Sequence, residues 1–247
     1  DPAAVPTILQ FQARLDINAG SSVTNTASLA WSSLPGDVGT PQSPHNPIST
    51  ERNYRPGSTI DIYGVESEAT VTVPIIPLPS TGFAPGMVTS LPPQSDEQAY
   101  QDLGDLWLEI PSLGVKTAIL GVPLDKSGWN LTWLSDQIGY LTGTAYPSMN
   151  GNSGLTAHAY LPSGLPGPFV NLSKLKWGDR IILHAAGQQY IYEVRDSRFV
   201  APNDTTVLGH KNQPWLTLLT CREFNEETKS YNWRAVVQAV LIQTKAD

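Results

Sequence analysis

The sequence predicts an all-β protein: a closed or nearly closed barrel of short strands, preceded by a smaller β-sandwich-like unit. Three observations carry this. The chain has 247 residues with 20 Gly and 21 Pro, a turn-rich composition. Its apolar residues alternate with period two in many short runs. No helical patterns of 10–15 residues intervene between those runs, so a doubly wound α/β fold is excluded. At about 150 residues per domain the length fits one large domain or two ordinary ones.

In the first 75 residues, Leu9, Phe11, Ala13, Leu15 and Ile17 alternate with Gln10, Gln12, Arg14 and Asp16 as in a half-buried strand. After the Asn18-Ala19-Gly20 turn, Val23, Ala27, Leu29 and Trp31 continue the spacing, and Ile60 with Ile62 and Val71 with Val73 mark further strands. The Gly, Pro and Ser content between Leu34 and Pro56 predicts a long loop. Residues 76–102 read as an extended linker, because Pro77, Pro79, Pro85, Pro92 and Pro93 remove backbone donors. The second domain spans 103–247. Leu106, Leu108 and Ile110 signal one of its strands, Tyr190, Tyr192 and Val194 another, and Val237, Ala239 and Leu241 a third. Short helices are predicted at Phe169–Leu175 and, capped by Asn203 and Asp204, at Thr205–Leu208.

Composition narrows the function. Fifteen Lys and Arg against 22 Asp and Glu give a net charge of −7, which excludes phosphate-backbone binding as the main role. No apolar run reaches the roughly 18 residues of a membrane span, so any membrane anchor is expected outside this chain. A single cysteine excludes an internal disulfide framework and a Cys-rich zinc site. No cofactor is expected; acidic pairs such as Asp96 with Glu97 read as solvated and leave only calcium open.

The lone Cys221 closes the run Trp215–Thr220 at its polar tip, where a nucleophile can be reached, and Arg222 follows it. Among four histidines, His45 falls in the Pro-rich loop, His184 inside a strand, and His210 after a glycine in an exposed loop. His158 ends the small-residue strand Gly154-Leu155-Thr156-Ala157, where a barrel places functional side chains, and leads as general acid/base. Arg234 starts the last strand 13 residues after Cys221, and a hairpin would bring the two together. Arg222 is the weaker candidate for an oxyanion clamp, since the neighbour of Cys221 in an extended chain faces the other way.

Two resemblances join these readings. The segments Val23-Thr24-Asn25-Thr26-Ala27 and Trp31-Ser32-Ser33-Leu34-Pro35-Gly36 resemble the C-terminal part of Ig-like repeats in bacterial surface adhesins. Leu106–Val115, Gly143–Pro147, Gly151–His158, Phe169–Leu175, Trp177-Gly178-Asp179 and Leu216–Cys221 resemble the sortases, in family order over 103–243. The second resemblance implies an eight-stranded β-barrel and an extracellular cysteine transpeptidase at the bacterial cell surface. Such an enzyme cuts Leu-Pro-x-Thr-Gly signals of surface proteins between Thr and Gly and passes the Thr acyl group to an amine of the cell surface or of a protein. It also implies roles: Cys221 as nucleophile, His158 as acid/base, Arg234 as clamp on substrate and oxyanion. Ala157 stands where many members have Gly. The rival from another class is a catalytically silent module of a surface adhesin.

Leu78-Pro79-Ser80-Thr81-Gly82 is itself a Leu-Pro-x-Thr-Gly sequence. Four specified positions recur by chance in such a chain less than about 1% of the time. The catalytic domain follows it, in place of a hydrophobic span and basic tail. The motif is therefore expected to be a tethered substrate, used in cis or trans, or an inhibitor lying in the groove.

Overall fold

The computed structural model describes residues 22–32, 62–72 and 76–247. The predicted strand at Leu9–Ile17, the 34–56 loop and His45 lie outside these residues. Strands β1 (Ser22–Ser32) and β2 (Ile62–Thr72) form an antiparallel ribbon, which belongs to a different compact unit from the barrel. Thr24 and Thr70 sit opposite each other, their hydroxyls 3.0 Å apart, a favourable cross-strand pair.

The barrel begins with β3 (Gln101–Ile110) and β4 (Val115–Val122), joined through a 3₁₀ turn at Pro111–Leu113. The small hairpin β5 (Leu124–Asp125) and β6 (Gly128–Trp129) stands outside the barrel sheet. Strands β7 (Ile138–Leu141), β8 (Gly151–Thr156), β9 (Arg180–Ala185), β10 (Gln188–Val200), β11 (Pro214–Asn225) and β12 (Ser230–Ala246) complete it. The eight strands close in the order β10-β12-β11-β8-β7-β4-β3-β9, and closure leaves no exposed edge. The predicted helices are 3₁₀ turns at Leu172–Lys174 and Thr205–Leu208, and Asp204 caps the second by accepting from the Thr206 amide. Among the described residues no helix is long and apolar enough to cross a membrane.

Alternation sorts each strand into an inner and an outer face. Leu216 and Leu218 of β11, Val237 and Ala239 of β12, and Leu155 of β8 fill the barrel with Leu108, Ile181 and Tyr192. The outer face is covered as well. Leu141, Leu219 and Val236 join a second apolar cluster with Leu131, Leu134 and Val207, contributed by the loops. This double coverage explains why β7, β8 and residues 216–221 are buried on both faces.

The loop between β10 and β11 is fastened to that outer face by a buried polar network. Asn152 donates to the Val207 and Gly209 carbonyls at 2.9 and 3.0 Å and accepts from Thr217 Oγ1 at 2.7 Å. Gln238 donates to the same Val207 carbonyl at 2.9 Å. Asn152→Ala leaves the Gly209 carbonyl without its side-chain donor, and urea unfolding is expected to show a loss of about 1–3 kcal/mol.

Candidate active site

The strand registers bring the three predicted residues to one place. Cys221 pairs directly with Arg234 across the β11–β12 hairpin, as the 13-residue separation anticipated. Strands β8 and β11 run parallel, with Thr156 beside Leu219, and His158 follows two residues later, between Ala157, whose carbonyl accepts from Thr220 Oγ1, and Ala159, whose amide donates to the Thr81 carbonyl. By alternation Cys221 shares the outer face with Leu219, Arg234 with Val236, and His158 with Thr156. Arg222 is exposed, its guanidinium 5.8 Å from the Phe199 ring. His184 is buried in β9, stacked on Trp107 at 3.4 Å and bonded to Asp247, and His210 is exposed.

The Leu78–Gly82 segment lies in the groove that these residues line. Leu78 is 2% exposed within the outer apolar cluster, and its amide donates to the Pro202 carbonyl at 2.8 Å. Burying such a side chain is worth about 1.5–3 kcal/mol. Pro79 is buried, and its carbonyl accepts from Arg234 Nε at 2.8 Å. Ser80 is exposed, and its Oγ lies 4.0 Å from Cys221 Sγ. Thr81 is fully buried. Its Oγ1 accepts from the Cys221 amide at 2.7 Å and lies 3.4 Å from Thr220 Oγ1. A Cβ on Gly82 would meet the Tyr231 ring at 3.1 Å, closer than ordinary contact.

Thr81 spans Cys221. Its amide donates to Cys221 Sγ at 3.0 Å, and its carbonyl accepts from the Ala159 amide at 2.8 Å. Beyond Gly82 the chain stays docked. The Phe83 amide donates to the Tyr160 carbonyl, Gly86 to Gly164 and Thr89 to Pro162, while Tyr231 Oη donates to the Phe83 carbonyl at 2.7 Å. The segment expected as a linker is irregular from 76 to 95, and barrel loops accept from its Leu78, Phe83, Gly86 and Thr89 amides.

His158 is 1% exposed, and neither ring nitrogen closes a hydrogen bond of normal geometry. The Phe83 ring lies 5.2 Å from it. Burial lowers its pKa to about 4, although the nearby Leu131 and Thr81 carbonyls favour the proton. It is therefore neutral at pH 7. Among the described residues no cluster of three or more His, Cys, Asp or Glu is placed to hold a metal ion.

Residues 108–242, more than half of the chain, match the sortase domain. The chain belongs to the sortase family. It is 27% identical over 144 residues to sortase A of Bacillus anthracis, a match covering 56% of this chain and 60% of that protein. The chain thus spans less than two thirds of that relative. Among solved structures it is similar to a sortase D5 transpeptidase of Clostridium perfringens, at 29% identity and a TM-score of 0.45 over 57% of this chain and 79% of that one. Sortase C-1 of Actinomyces oris is 28% identical at a TM-score of 0.47, covering 57% and 76%.

Within this sortase fold the site contains four residues that sequence reasoning did not single out: Leu131, Ala159, Gly167 and Tyr231. Ala159 contributes only its backbone, and Leu131 and Tyr231 read as ordinary apolar positions. Gly167 is a packing constraint, because a Cβ there would lie 2.2 Å from the His158 carbonyl oxygen.

Two predictions follow from this packing around His158. Gly167→Ala should displace His158 and reduce acyl-enzyme formation at least tenfold, read by trapping with hydroxylamine. His158 ionises near 6.5 when unfolded and near 4 when folded, so its contribution to stability is complete above pH 6.5 and lost as the pH falls toward 4. Wild type should therefore lose about 3 kcal/mol more than His158→Gln over that window. In thermal melts this is a difference of about 6–12 °C.

Proposed function

We propose that this sortase cuts Leu-Pro-x-Thr-Gly signals between Thr and Gly, and that Leu78–Gly82 is its own tethered substrate. The observation that carries the reading is Thr81 lying across Cys221, with its amide on Sγ and its carbonyl on the Ala159 N–H. An amide nitrogen and the carbonyl carbon of the same residue are about 2.5 Å apart. The sulfur is therefore within about 5.5 Å of the carbon it must attack, and a small shift reaches attack distance.

In this mechanism neutral His158 takes the thiol proton as Cys221 Sγ adds to the Thr81 carbonyl carbon. The developing oxyanion keeps the Ala159 N–H as donor, a fixed dipole in a buried site. The Thr81–Gly82 bond then breaks, and His158 returns its proton to the Gly82 nitrogen. The upstream piece is left as a thioester on Cys221. An amine attacks that thioester, the carbon–sulfur bond breaks, and the amine proton passes through His158 to the sulfur. Arg234 holds the peptide two residues upstream by its charge-assisted bond to the Pro79 carbonyl.

While Leu78–Thr81 fill the groove, no separate signal peptide can enter, so the same segment excludes trans substrates. The upstream unit, with its resemblance to an Ig-like adhesin repeat, is the piece carried to the acceptor. Its destination on this reading is an amine of the bacterial cell surface or of another surface protein, and other Leu-Pro-x-Thr-Gly proteins are substrates once the groove empties.

Intact-mass spectrometry of the full chain with hydroxylamine tests this. A break after Thr81 is expected, with hydroxylamine added to the N-terminal piece, and Cys221→Ala should abolish it. Arg234→Ala should slow it about 10- to 10²-fold, the worth of a charge-assisted bond of about 1.5–3 kcal/mol. A chain that stays whole, and stays inert toward a supplied Leu-Pro-Ser-Thr-Gly peptide after Leu78→Asp has weakened the tether, would overturn the reading in favour of a silent module.

A further inference from the structure

The residues that follow the Leu78–Gly82 motif form a clip against the loop after β8. Ala84-Pro85-Gly86-Met87 is a turn, closed by the Met87 amide on the Ala84 carbonyl at 3.3 Å. Pro stands at its second position and Gly86, at φ +69°, at its third, as such a turn requires. Leu161-Pro162-Ser163-Gly164 is a second turn, closed by the Gly164 amide on the Leu161 carbonyl at 2.8 Å. The two turns are bonded together. The Gly86 amide donates to the Gly164 carbonyl at 2.9 Å, and the Thr89 amide to the Pro162 carbonyl at 2.7 Å. Gly164 has φ +79°, and a Cβ on it would lie 2.6 Å from the Met87 nitrogen, so only glycine admits the clip.

These contacts all lie downstream of Thr81, so they persist when the Thr81–Gly82 bond opens. The barrel then carries a new N-terminus, Gly82, whose α-amine is the leaving group itself. The Phe83 amide on the Tyr160 carbonyl and Tyr231 Oη on the Phe83 carbonyl keep that amine beside the position from which it was released.

A signal entering from another protein brings its own glycine to that position. Gly82 and Phe83 swing aside to admit it, while the clip at Gly86 and Thr89 stays closed. Four residues of extended chain reach no further than about 14 Å, so the amine remains within that distance of Gly86. A tether this short holds its end at a concentration in the millimolar range. When the foreign glycine diffuses off, Gly82 is the nearest amine to the new thioester. No side chain hinders it, and Tyr231 leaves no room for one, since a Cβ on Gly82 would meet its ring at 3.1 Å.

We infer that the cleaved enzyme is itself an acceptor: Gly82 takes up the Leu-Pro-x-Thr acyl group of another protein, so that the barrel exchanges the unit joined to its own N-terminus. This rests on the tethered-substrate reading. Cys221 Sγ adds to the Thr carbonyl carbon of the entering signal, its Thr–Gly bond breaks, and its glycine leaves with a proton from His158. The Gly82 amine then adds to the thioester carbon, the carbon–sulfur bond breaks, and the amine proton passes through His158 to the sulfur. The product again has Leu-Pro-x-Thr joined to Gly82 and is the substrate of the next exchange.

The test begins with the full chain. Hydroxylamine releases residues 1–81, gel filtration removes both, and N-acetylated Leu-Pro-Ser-Thr-Gly peptide is supplied. The protein is then quenched in acid, denatured and treated with hydroxylamine again, which removes a thioester and leaves an amide. A resistant gain of acetyl-Leu-Pro-Ser-Thr is expected, located on Gly82 by fragment-ion mass spectra. Its yield should be independent of protein concentration, and added triglycine should halve it only in the millimolar range. Gly164→Ala, which opens the clip, and Thr89→Pro, which deletes the amide bonded to Pro162, should each lower that triglycine concentration at least tenfold. Peptide recovered only as free acid or on triglycine would overturn the self-acceptor. So would half-competition at the micromolar concentration of the protein itself, or two clip variants that both compete like wild type. Failure of the tethered-substrate reading is visible earlier and separately, as a full chain from which hydroxylamine releases nothing.

Discussion

The antiparallel register of β11 and β12 is the constraint on which the site depends. It sets Cys221 opposite Arg234, and the parity of the two strands turns both side chains outward while Leu218 and Val237 turn in. A slip of one residue would exchange the faces, sending the thiol into the barrel and an apolar side chain into the groove. The inward residues hold this register, because moving them outward would expose the interior packing. The core therefore fixes the site indirectly, and Cys221 and Arg234 share one rigid sheet.

Covering the outer face adds a second layer of determination. An ordinary antiparallel barrel presents its outer face to water, yet here Leu219 and Val236 continue under the loops as an apolar floor. Leu78 completes that cluster, so the Leu78–Gly82 segment is held by the same kind of packing that builds the domain. The Asn152–Thr217–Gln238 network holds the Val207 carbonyl over this floor, on the loop whose Pro202 carbonyl accepts from Leu78. Groove and barrel are thus one packed object, and pocket precision comes from buried hydrogen bonds in the sheet.

Much of this was legible in the sequence. The polar end of Trp215–Thr220, the small-residue strand before His158 and the distance from Cys221 to Arg234 all follow from local patterning, and the strand pairings brought the three together. The prolines of 76–102 were harder to read. They disfavour regular structure, which is confined there to a 3₁₀ turn at Asp96–Gln98 and the first residues of β3, but whether an irregular segment is free or docked depends on acceptors such as the Tyr160, Pro162 and Gly164 carbonyls, which are distant in sequence. Ala159 and Gly167 were invisible for a related reason. One acts through its backbone amide and the other through the absence of a Cβ, and neither leaves a signature until the chain is folded.

Docking of the peptide on both sides of Gly82 has an energetic consequence for the proposed reaction. A leaving amine that stays bonded beside the thioester remains at a tether's effective concentration, in the millimolar range for short flexible links and higher when held in place. Return to the intact chain then competes with every external acceptor. Forward transfer requires either that the Phe83–Thr89 segment peel away from Tyr160–Gly164 and Tyr231, or that the acceptor already occupy a neighbouring site when the bond opens. The second route needs no disruption of those bonds, and it makes the occupancy of the acceptor, more than the reactivity of Cys221, the quantity that decides when the upstream unit leaves the enzyme.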